Sequence, residues 1–211
     1  SVLRLRDGDA ILLFDGAGLL AEATLIHIDK RSVHARVNQI TRREPSVPHC
    51  TIAFAPPKGK RAAVTVEKLT ELGADELIPL ETARGVSEGG DLDKWHERAV
   101  EACKQCIRAD VPVVRDLRPI AELARSMGEW DCALVASLAP GARSGDGLTA
   151  LLSAARRVLW IVGPEGGFTP EEEEMLCAAG AVPVRIAPHV LRIGTAAELC
   201  AGLTRFLTTR A

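Results

Sequence analysis

The sequence predicts an α/β fold with a mainly parallel sheet, preceded by a small antiparallel β unit. Residues 1–42 form short segments rich in Leu, Ile and Val, separated by Asp and Gly turns, which is typical of antiparallel strands. From residue 50 onward, strand-like and helix-like segments alternate, which indicates crossover helices between parallel strands. The charged, proline-bearing segment 42–48 suits a linker. We therefore expect a β-barrel-like domain over 1–46 and an α/β domain over 49–211.

The individual elements follow from hydrophobic periodicity and from turn residues at their ends. Strands are predicted at 2–6, 10–16, 19–28, 32–40, 50–56, 75–81, 111–114, 132–138, 157–163 and 181–187. Helices are predicted at 61–73, 91–108, 119–128, 147–156, 169–180 and 195–209. The last of these is apolar on more than one side, which favours an interface between two copies of the chain.

Composition limits the class of protein. Hydrophobic residues make up 47% of 211 residues, which is enough for a buried core. No apolar run reaches the roughly 20 residues of a membrane span, and the first residues lack the apolar region of a signal peptide. The six cysteines are scattered, as expected for reduced thiols in the cytoplasm. Cys103 and Cys106 have no partner pair that would complete a zinc site, so we expect no metal and interpret both as buried thiols.

The basic residues are unevenly distributed although the net charge is only −2. Between residues 30 and 61, Glu44 is the only acid among eight basic residues: Lys30, Arg31, Arg36, Arg42, Arg43, Lys58, Lys60 and Arg61. Such a cluster can neutralise the phosphates of a nucleic acid, and it can also be a solvated surface. Both interpretations stay open on charge alone.

Two predicted strands end in glycine-bearing loops. Gly163-Pro164-Glu165-Gly166-Gly167 allows close approach of a ligand to the backbone. Thr169, Pro170 and Glu172 then form an N-cap, an N1 proline and a capping-box acid. The second loop, 188–194, precedes a helix for which Thr195 and Glu198 are the expected cap and capping-box residues.

Because ligands of open α/β sheets bind at the carboxyl ends of strands, these loops are expected to form a pocket, with Leu134–Leu138 as a third wall. Neither loop has the pattern of a phosphate-binding loop or of a dinucleotide-binding fingerprint. The acids Glu171 to Glu174 disfavour phosphate as a ligand and are compatible with a cationic sulfonium. A tight turn without a ligand is the structural alternative.

These motifs carry a family resemblance. GPEGGFTPEEEEM and the later VLRIGTAAEL resemble the RsmE family of SPOUT methyltransferases. APPKGKRAAVTVEKLTELG, WHERAVEACKQCIRADVPVV and the N-terminal VLRLRDGDAILLFDG resemble further family segments in the same order. The resemblance covers nearly the whole chain.

The resemblance implies a trefoil knot that binds S-adenosylmethionine, an obligate homodimer, and N3-methylation of a uridine in 16S rRNA of the small ribosomal subunit. It also implies a PUA-like RNA-binding barrel at the N-terminus, with a further segment before residue 1. The cofactor-binding residues that it implies are Leu134, Ala136, Ser137, Leu138, Gly163, Pro164, Glu165, Gly166, Gly167, Phe168, Leu191, Arg192, Ile193, Gly194, Thr195 and Ala196.

Uracil N3 must lose a proton before it can attack a methyl group, so a positioned arginine is expected to stabilise the charge on the base carbonyls. Arg192 is the first candidate, because it lies in a cofactor loop, followed by Arg108 and Arg84, which match other family arginines. A phosphate contact or a surface ion pair is the alternative for each. We expect RNA contacts from Arg4, Arg6, Lys58, Lys60 and Arg61.

The chain departs from the family pattern in one cofactor loop, where Ile193 and Gly194 stand in a segment that usually reads L-R-T-E-T-A. Two other classes of function stay open on the residues alone. One is a nucleotide- or RNA-binding module without catalysis, which would bind neither S-adenosylmethionine nor its demethylated product. The other is a hydrolase using Glu67, Glu71 or Glu165, which lacks an accompanying nucleophile and base.

Overall fold

The computed structural model describes residues 5–85, 90–143, 145 and 147–209, and the chain divides into two compact units. The first unit comprises Ser1–Pro45 together with Ile107–Val111, and the second comprises Ser46–Cys106 and Pro112–Ala211. The short return of the chain to the first unit is not visible in the sequence pattern, because it lies between a helix and a strand of the second unit.

The first unit is built on an antiparallel sheet in the order β1-β2-β3, formed by Ala10–Phe14, Leu19–Ile28 and Val33–Arg42. Its interior side is supplied mainly by β2, where Leu20, Ala23 and Leu25 are buried. The predicted small antiparallel unit is therefore present. Of the predicted strand at 2–6, residues 2–4 lie outside the described part, and Leu5 and Arg6 are not in a strand.

The second unit is an α/β layered structure whose strand pairs are all parallel. Its strands are β4 His49–Phe54, β5 Glu76–Glu81, β6 Val113–Val114, β7 Arg118–Pro119, β8 Cys132–Ala136, β9 Arg157–Val162 and β10 Val182–Val184. Its helices are α1 Lys60–Glu71, α2 Leu92–Cys106, α3 Ile120–Arg125, α4 Leu148–Ala154, α5 Pro170–Ala178 and α6 Ile193–Thr208. The sequence-based prediction of a mainly parallel sheet is confirmed.

The core of the second unit lies around β4, β5 and β9, whose residues are almost all buried. Strands covered on both faces are near-continuous hydrophobic runs, as these are. The indole N–H of Trp160 donates to Thr204 Oγ1 at 2.8 Å, and that of Trp130 donates to Thr51 Oγ1 at 3.1 Å. Trp95 is also buried, as predicted for a core residue. Cys103 is buried but Cys106 is exposed, so the expectation of two buried thiols is wrong for Cys106.

The order of strands in the sheet, β10-β8-β9-β4-β5-β6, determines where ligands can bind. β10 pairs with β8 although β9 separates them in the chain. Parallel neighbours end at the same edge of the sheet, so the loops that follow β8, β9 and β10 meet there. Among the helices of the described residues, none combines the length and the apolar character that crossing a membrane requires.

Candidate active site

The loop after β9 needs glycine at specific positions. Gly167 has φ of +69°, a left-handed conformation that side chains rarely adopt, and its N–H donates to Pro164 O at 2.8 Å to close a turn. A Cβ at Gly163 would lie 3.0 Å from the ring of Phe168. The glycines therefore let the loop fold back closely enough for Phe168 to pack beneath its first residue.

A capping box holds the end of this loop, as the sequence predicts. Thr169 Oγ1 accepts from the N–H of Glu172 at 3.2 Å, and Glu172 Oε2 accepts from the N–H of Thr169 at 2.9 Å. Glu172 is buried, and its other oxygen accepts from the N–H of Ala83 at 2.7 Å. One carboxylate thus joins the start of α5 to the loop that follows β5.

Arg84 forms hydrogen bonds to the backbone of the same glycine loop. Its Nη1 donates to the carbonyl oxygens of Gly166 at 2.8 Å and Phe168 at 3.2 Å. These bonds pair two carbonyls of the loop and fix their direction. The geometry of Arg84 is that of a residue that positions the loop.

The loop after β10 leads into α6 earlier than the sequence pattern indicates. The helix begins at Ile193 with Arg192 as N-cap residue, and Ala196 N–H donates to Arg192 O at 2.9 Å. The expectation that Thr195 is the N-cap is therefore wrong. A Cβ at Gly194 would lie 3.0 Å from Thr65 Oγ1 on α1, so the close packing of α6 on α1 favours glycine there.

The third wall follows β8. Ser137 is fixed by its backbone N–H, which donates to Val184 O at 3.0 Å. Its hydroxyl donates to Glu173 Oε1 at 2.7 Å and accepts from the N–H of Ala139 at 3.0 Å. Arg185 donates to Leu138 O at 3.1 Å, which secures the next residue.

Together the three loops enclose a cavity of about 410 Å³, within the range of small-molecule sites. It is lined by Ala136, Ser137, Leu138, Ala139, Val162, Gly163, Pro164, Glu165, Gly166, Gly167, Phe168, Glu173, Ile186, Ala187, His189, Val190, Leu191, Ile193 and Ala196. Most residues expected to bind the cofactor are thus brought to one place. Among those expected residues, Leu134, Arg192, Gly194 and Thr195 are not in the lining, and Leu134 is fully buried within β8.

Sequence reasoning did not select several residues of the lining, of which Glu173 is the most informative. Its position one turn after the cap Thr169 would have pointed to it, because this places it on the helix end next to the glycine loop. His189 and Val190 also line the cavity. They lie after β10 in the chain, within the second predicted loop, yet only the loop residues after them were selected.

The three candidate arginines occupy different surroundings. Arg192 is exposed at the start of α6, and Arg84 bonds to the glycine loop. Arg108 belongs to the first unit, where it pairs with Asp110 at 2.6 Å and its side chain is 12% exposed.

The residues expected to contact RNA are also divided between the units. Arg6 is exposed in the first unit, and Arg4 lies outside the described residues. Lys58, Lys60 and Arg61 are exposed around the start of α1. Arg61 Nη1 lies 3.9 Å from Glu165 Oε1, so this basic group adjoins the glycine loop.

Comparisons with known proteins agree with this architecture. Residues 43–205 match the model of an RNA methyltransferase domain, and residues 1–38 match an RNA methyltransferase PUA domain. Ribosomal RNA small subunit methyltransferase E of Mycobacterium bovis is 33% identical over 100% of this chain and 83% of its own length. The same enzyme from Bacillus subtilis is 31% identical over 93% of this chain and 81% of its own length.

A solved structure gives the same result in three dimensions. Ribosomal RNA small subunit methyltransferase E from Neisseria gonorrhoeae, bound to S-adenosyl methionine, has a TM-score of 0.86 and 27% identity. The alignment covers 98% of this chain and 86% of that chain. The fold and the cavity define an α/β RNA methyltransferase with an N-terminal PUA domain. The chain belongs to the ribosomal RNA small subunit methyltransferase E family.

Proposed function

We propose that the protein transfers a methyl group from S-adenosylmethionine to N3 of a uridine in 16S rRNA of the small ribosomal subunit. The observation that carries this proposal is the cavity formed by the loops after β8, β9 and β10, with its glycine loop fixed by Arg84 and Glu172. The relation to the ribosomal RNA small subunit methyltransferase E family supports ribosomal RNA as the class of substrate. In this proposal residues 1–46 form the PUA-like RNA-binding domain and residues 49–211 the catalytic domain.

The residues of the cavity fit S-adenosylmethionine. Its lining is mainly apolar side chains and loop backbone, which suits a nucleoside, and Gly163 lets the loop backbone pack closely on Phe168, whose ring would lie 3.0 Å from a Cβ. The charged side chains of the described lining are the carboxylates of Glu165 and Glu173, which suit a cationic ligand. The three loops would hold the group, whose sulfonium supplies an activated methyl.

The chain's own contribution to the reaction is positioning and charge stabilisation. Holding two reactants in line can supply roughly 7–11 kcal/mol of the barrier. When the uracil N3 proton leaves, negative charge spreads onto the base carbonyls, and a nearby guanidinium lowers its energy. We assign this role to Arg192, which is exposed beside the cavity-lining residues Leu191 and Ile193. Arg108 and Arg84 are the further candidates for this role, because the family resemblance of the sequence implies them.

RNA is held by basic side chains in this proposal, namely Arg4, Arg6, Lys58, Lys60 and Arg61. The three residues around the start of α1 adjoin the cavity through Arg61 and Glu165. Neutralising phosphates there orients the RNA without reading its sequence. The enzyme acts in the cytoplasm as a homodimer, and the exposed Phe206 on α6 supports an interface at that helix.

The test is methylation of small subunits lacking the modification, with the product nucleoside identified by mass spectrometry. The wild-type protein is expected to produce N3-methyluridine and to bind S-adenosylmethionine in calorimetry. Arg192→Ala is expected to abolish methylation and keep cofactor binding, whereas Arg125→Ala, an exposed arginine on α3, is the matched control. Binding of RNA without binding of the cofactor would show a binding module instead, and near wild-type turnover of Arg192→Ala would refute the role of Arg192.

A further inference from the structure

The carboxylate of Glu173 occupies a built position in the wall of the cavity. It comes from the first full turn of α5, and Ser137 from the end of β8 donates to its Oε1 at 2.7 Å. Ser137 is itself fixed by bonds to Ala139 and Val184. The direction of the carboxylate is therefore set by two separate elements of the fold.

Glu173 has no cationic side chain beside it in the wall of the cavity, because no lysine or arginine is among the lining residues that the structure describes. The other acid, Glu165, differs because its side chain is 64% exposed and faces Arg61 at 3.9 Å. Glu173 is half-buried, and within the described ranges it has no ion pair with a cationic side chain.

A partly desolvated carboxylate gains most from a cation that arrives with the ligand. Removing a charge from water costs free energy, and an opposite charge at close range offsets that cost. Ionised hydrogen-bond pairs are also roughly twice as strong as neutral pairs. Glu173 is thus suited to a ligand group that is both positively charged and close to the Ser137 side of the cavity.

We propose that Glu173, oriented by Ser137, binds a positively charged group of the cofactor and sets the preference of the cavity for a cationic ligand. The inference rests on the proposed function, since it takes S-adenosylmethionine as the ligand. Two groups of that molecule carry positive charge, the sulfonium and the ammonium of the amino-acid moiety. Either cation could pair with the carboxylate of Glu173, and ligands that lack one or both of them distinguish the two.

The experiment is calorimetry with the full chain and three ligands. S-adenosylmethionine carries both cations, S-adenosylhomocysteine keeps only the ammonium, and 5′-methylthioadenosine carries neither. Glu173→Gln keeps the size of the side chain and its bond to Ser137 while it removes the charge. Glu174→Gln, an exposed neighbour on the same helix, is the matched control.

Glu173→Gln is expected to weaken binding of S-adenosylmethionine about tenfold and to leave 5′-methylthioadenosine within about twofold of wild type. An equal loss for S-adenosylhomocysteine assigns Glu173 to the ammonium, and no loss for that ligand assigns it to the sulfonium. The inference is overturned if S-adenosylmethionine binds Glu173→Gln as well as wild type. It is also overturned if 5′-methylthioadenosine loses as much affinity, because a neutral contact then explains the effect.

Two further measurements separate the possible failures. Ser137→Ala is expected to reduce the preference for S-adenosylmethionine over 5′-methylthioadenosine by a smaller factor than Glu173→Gln does. The carboxylate of Glu173 stays in this variant but loses the hydrogen bond that orients it. Thermal unfolding without ligand shows whether each variant is folded. If the wild-type protein fails to bind S-adenosylmethionine, the proposed function itself is wrong, whereas wild-type binding with an unaffected Glu173→Gln overturns only the role of Glu173.

Discussion

At the residue scale, Glu172 connects parts of the chain that lie far apart in sequence. Its bond with Thr169 is local, so the pattern of Thr169, Pro170 and Glu172 was sufficient to predict it. Its bond with Ala83 spans 89 positions, and nothing in a local pattern indicates such a partner. The capping box was therefore predictable, and the coupling of the glycine loop to the segment after β5 was not.

Replacing Glu172 with Gln tests this coupling. One oxygen becomes an NH₂ group that faces a backbone N–H, so a part-buried hydrogen bond to a charged acceptor is lost, at a cost of about 1–3 kcal/mol. We expect lower stability in urea unfolding together with weaker binding of S-adenosylmethionine. Glu174→Gln, which removes an exposed charge from the same helix, is the control. Unchanged stability and unchanged affinity in Glu172→Gln would show that the carboxylate does not hold the loop.

Gly163 allows a second test at the residue scale. The methyl group of Gly163→Ala would lie 3.0 Å from the Phe168 ring, so the ring and the cavity wall have to shift. Such overpacking costs about 1–3 kcal/mol, and we expect reduced cofactor affinity in calorimetry. Gly128→Ala adds the same methyl group where no atom lies within 4 Å, and it is expected to behave like wild type. Equal affinities for the two variants would contradict a close fit at Gly163.

At the element scale, α6 shows where a local pattern misleads. Thr195 and Glu198 have capping-box spacing, yet the helix begins at Ile193. Ile193 is buried and Gly194 packs against Thr65 of α1, so contacts between the helices extend α6 beyond the local signal. The helix itself, its length and its apolar character were predictable, whereas its first turn depends on tertiary contacts.

Because α6 begins at Ile193, Glu198 is not the capping-box residue that the sequence predicts. Its partly buried position predicts that the stability of the protein depends on pH. Burial raises the pKa of the Glu198 carboxyl above its ordinary value of 4.5; Lys68 opposes this effect and Glu71 adds to it. Above the ordinary pKa, the folded state therefore binds more protons than the unfolded chain. The contribution of Glu198 to stability falls as pH rises from 4.5 through the raised pKa.

Urea unfolding across this pH range measures the effect. Glu198→Gln cannot ionise, so its stability relative to wild type is expected to increase as pH rises through the window. Glu122→Gln on the exposed side of α3 controls for the loss of one negative charge. A difference between Glu198→Gln and wild type that is constant with pH, or that changes in the opposite direction, would contradict the raised pKa.

At the scale of the whole molecule, the class of fold was predictable and the arrangement of strands was not. Alternating strand and helix patterns indicate a parallel sheet, but the order β10-β8-β9-β4-β5-β6 depends on pairings between distant segments. The same holds for Ile107–Val111, which groups with the first unit. The pocket could be expected from its loops, while its lining by Glu173 depended on how α5 is placed against β8.

The apolar surface of α6 predicts that the protein forms a dimer. Phe206 on α6 is 80% exposed, and Leu199 and Leu203 on the same helix are only half-buried. An apolar strip of this kind is expected to be covered by a second copy, so light scattering at micromolar concentration should give the mass of a dimer. Phe206→Glu places a charge in that interface and is expected to shift the mass toward the monomer. Val64→Glu on α1 makes the same change at an exposed apolar residue and should leave the dimer intact. A monomeric wild type, or a Phe206→Glu variant that stays dimeric, would exclude α6 as the interface.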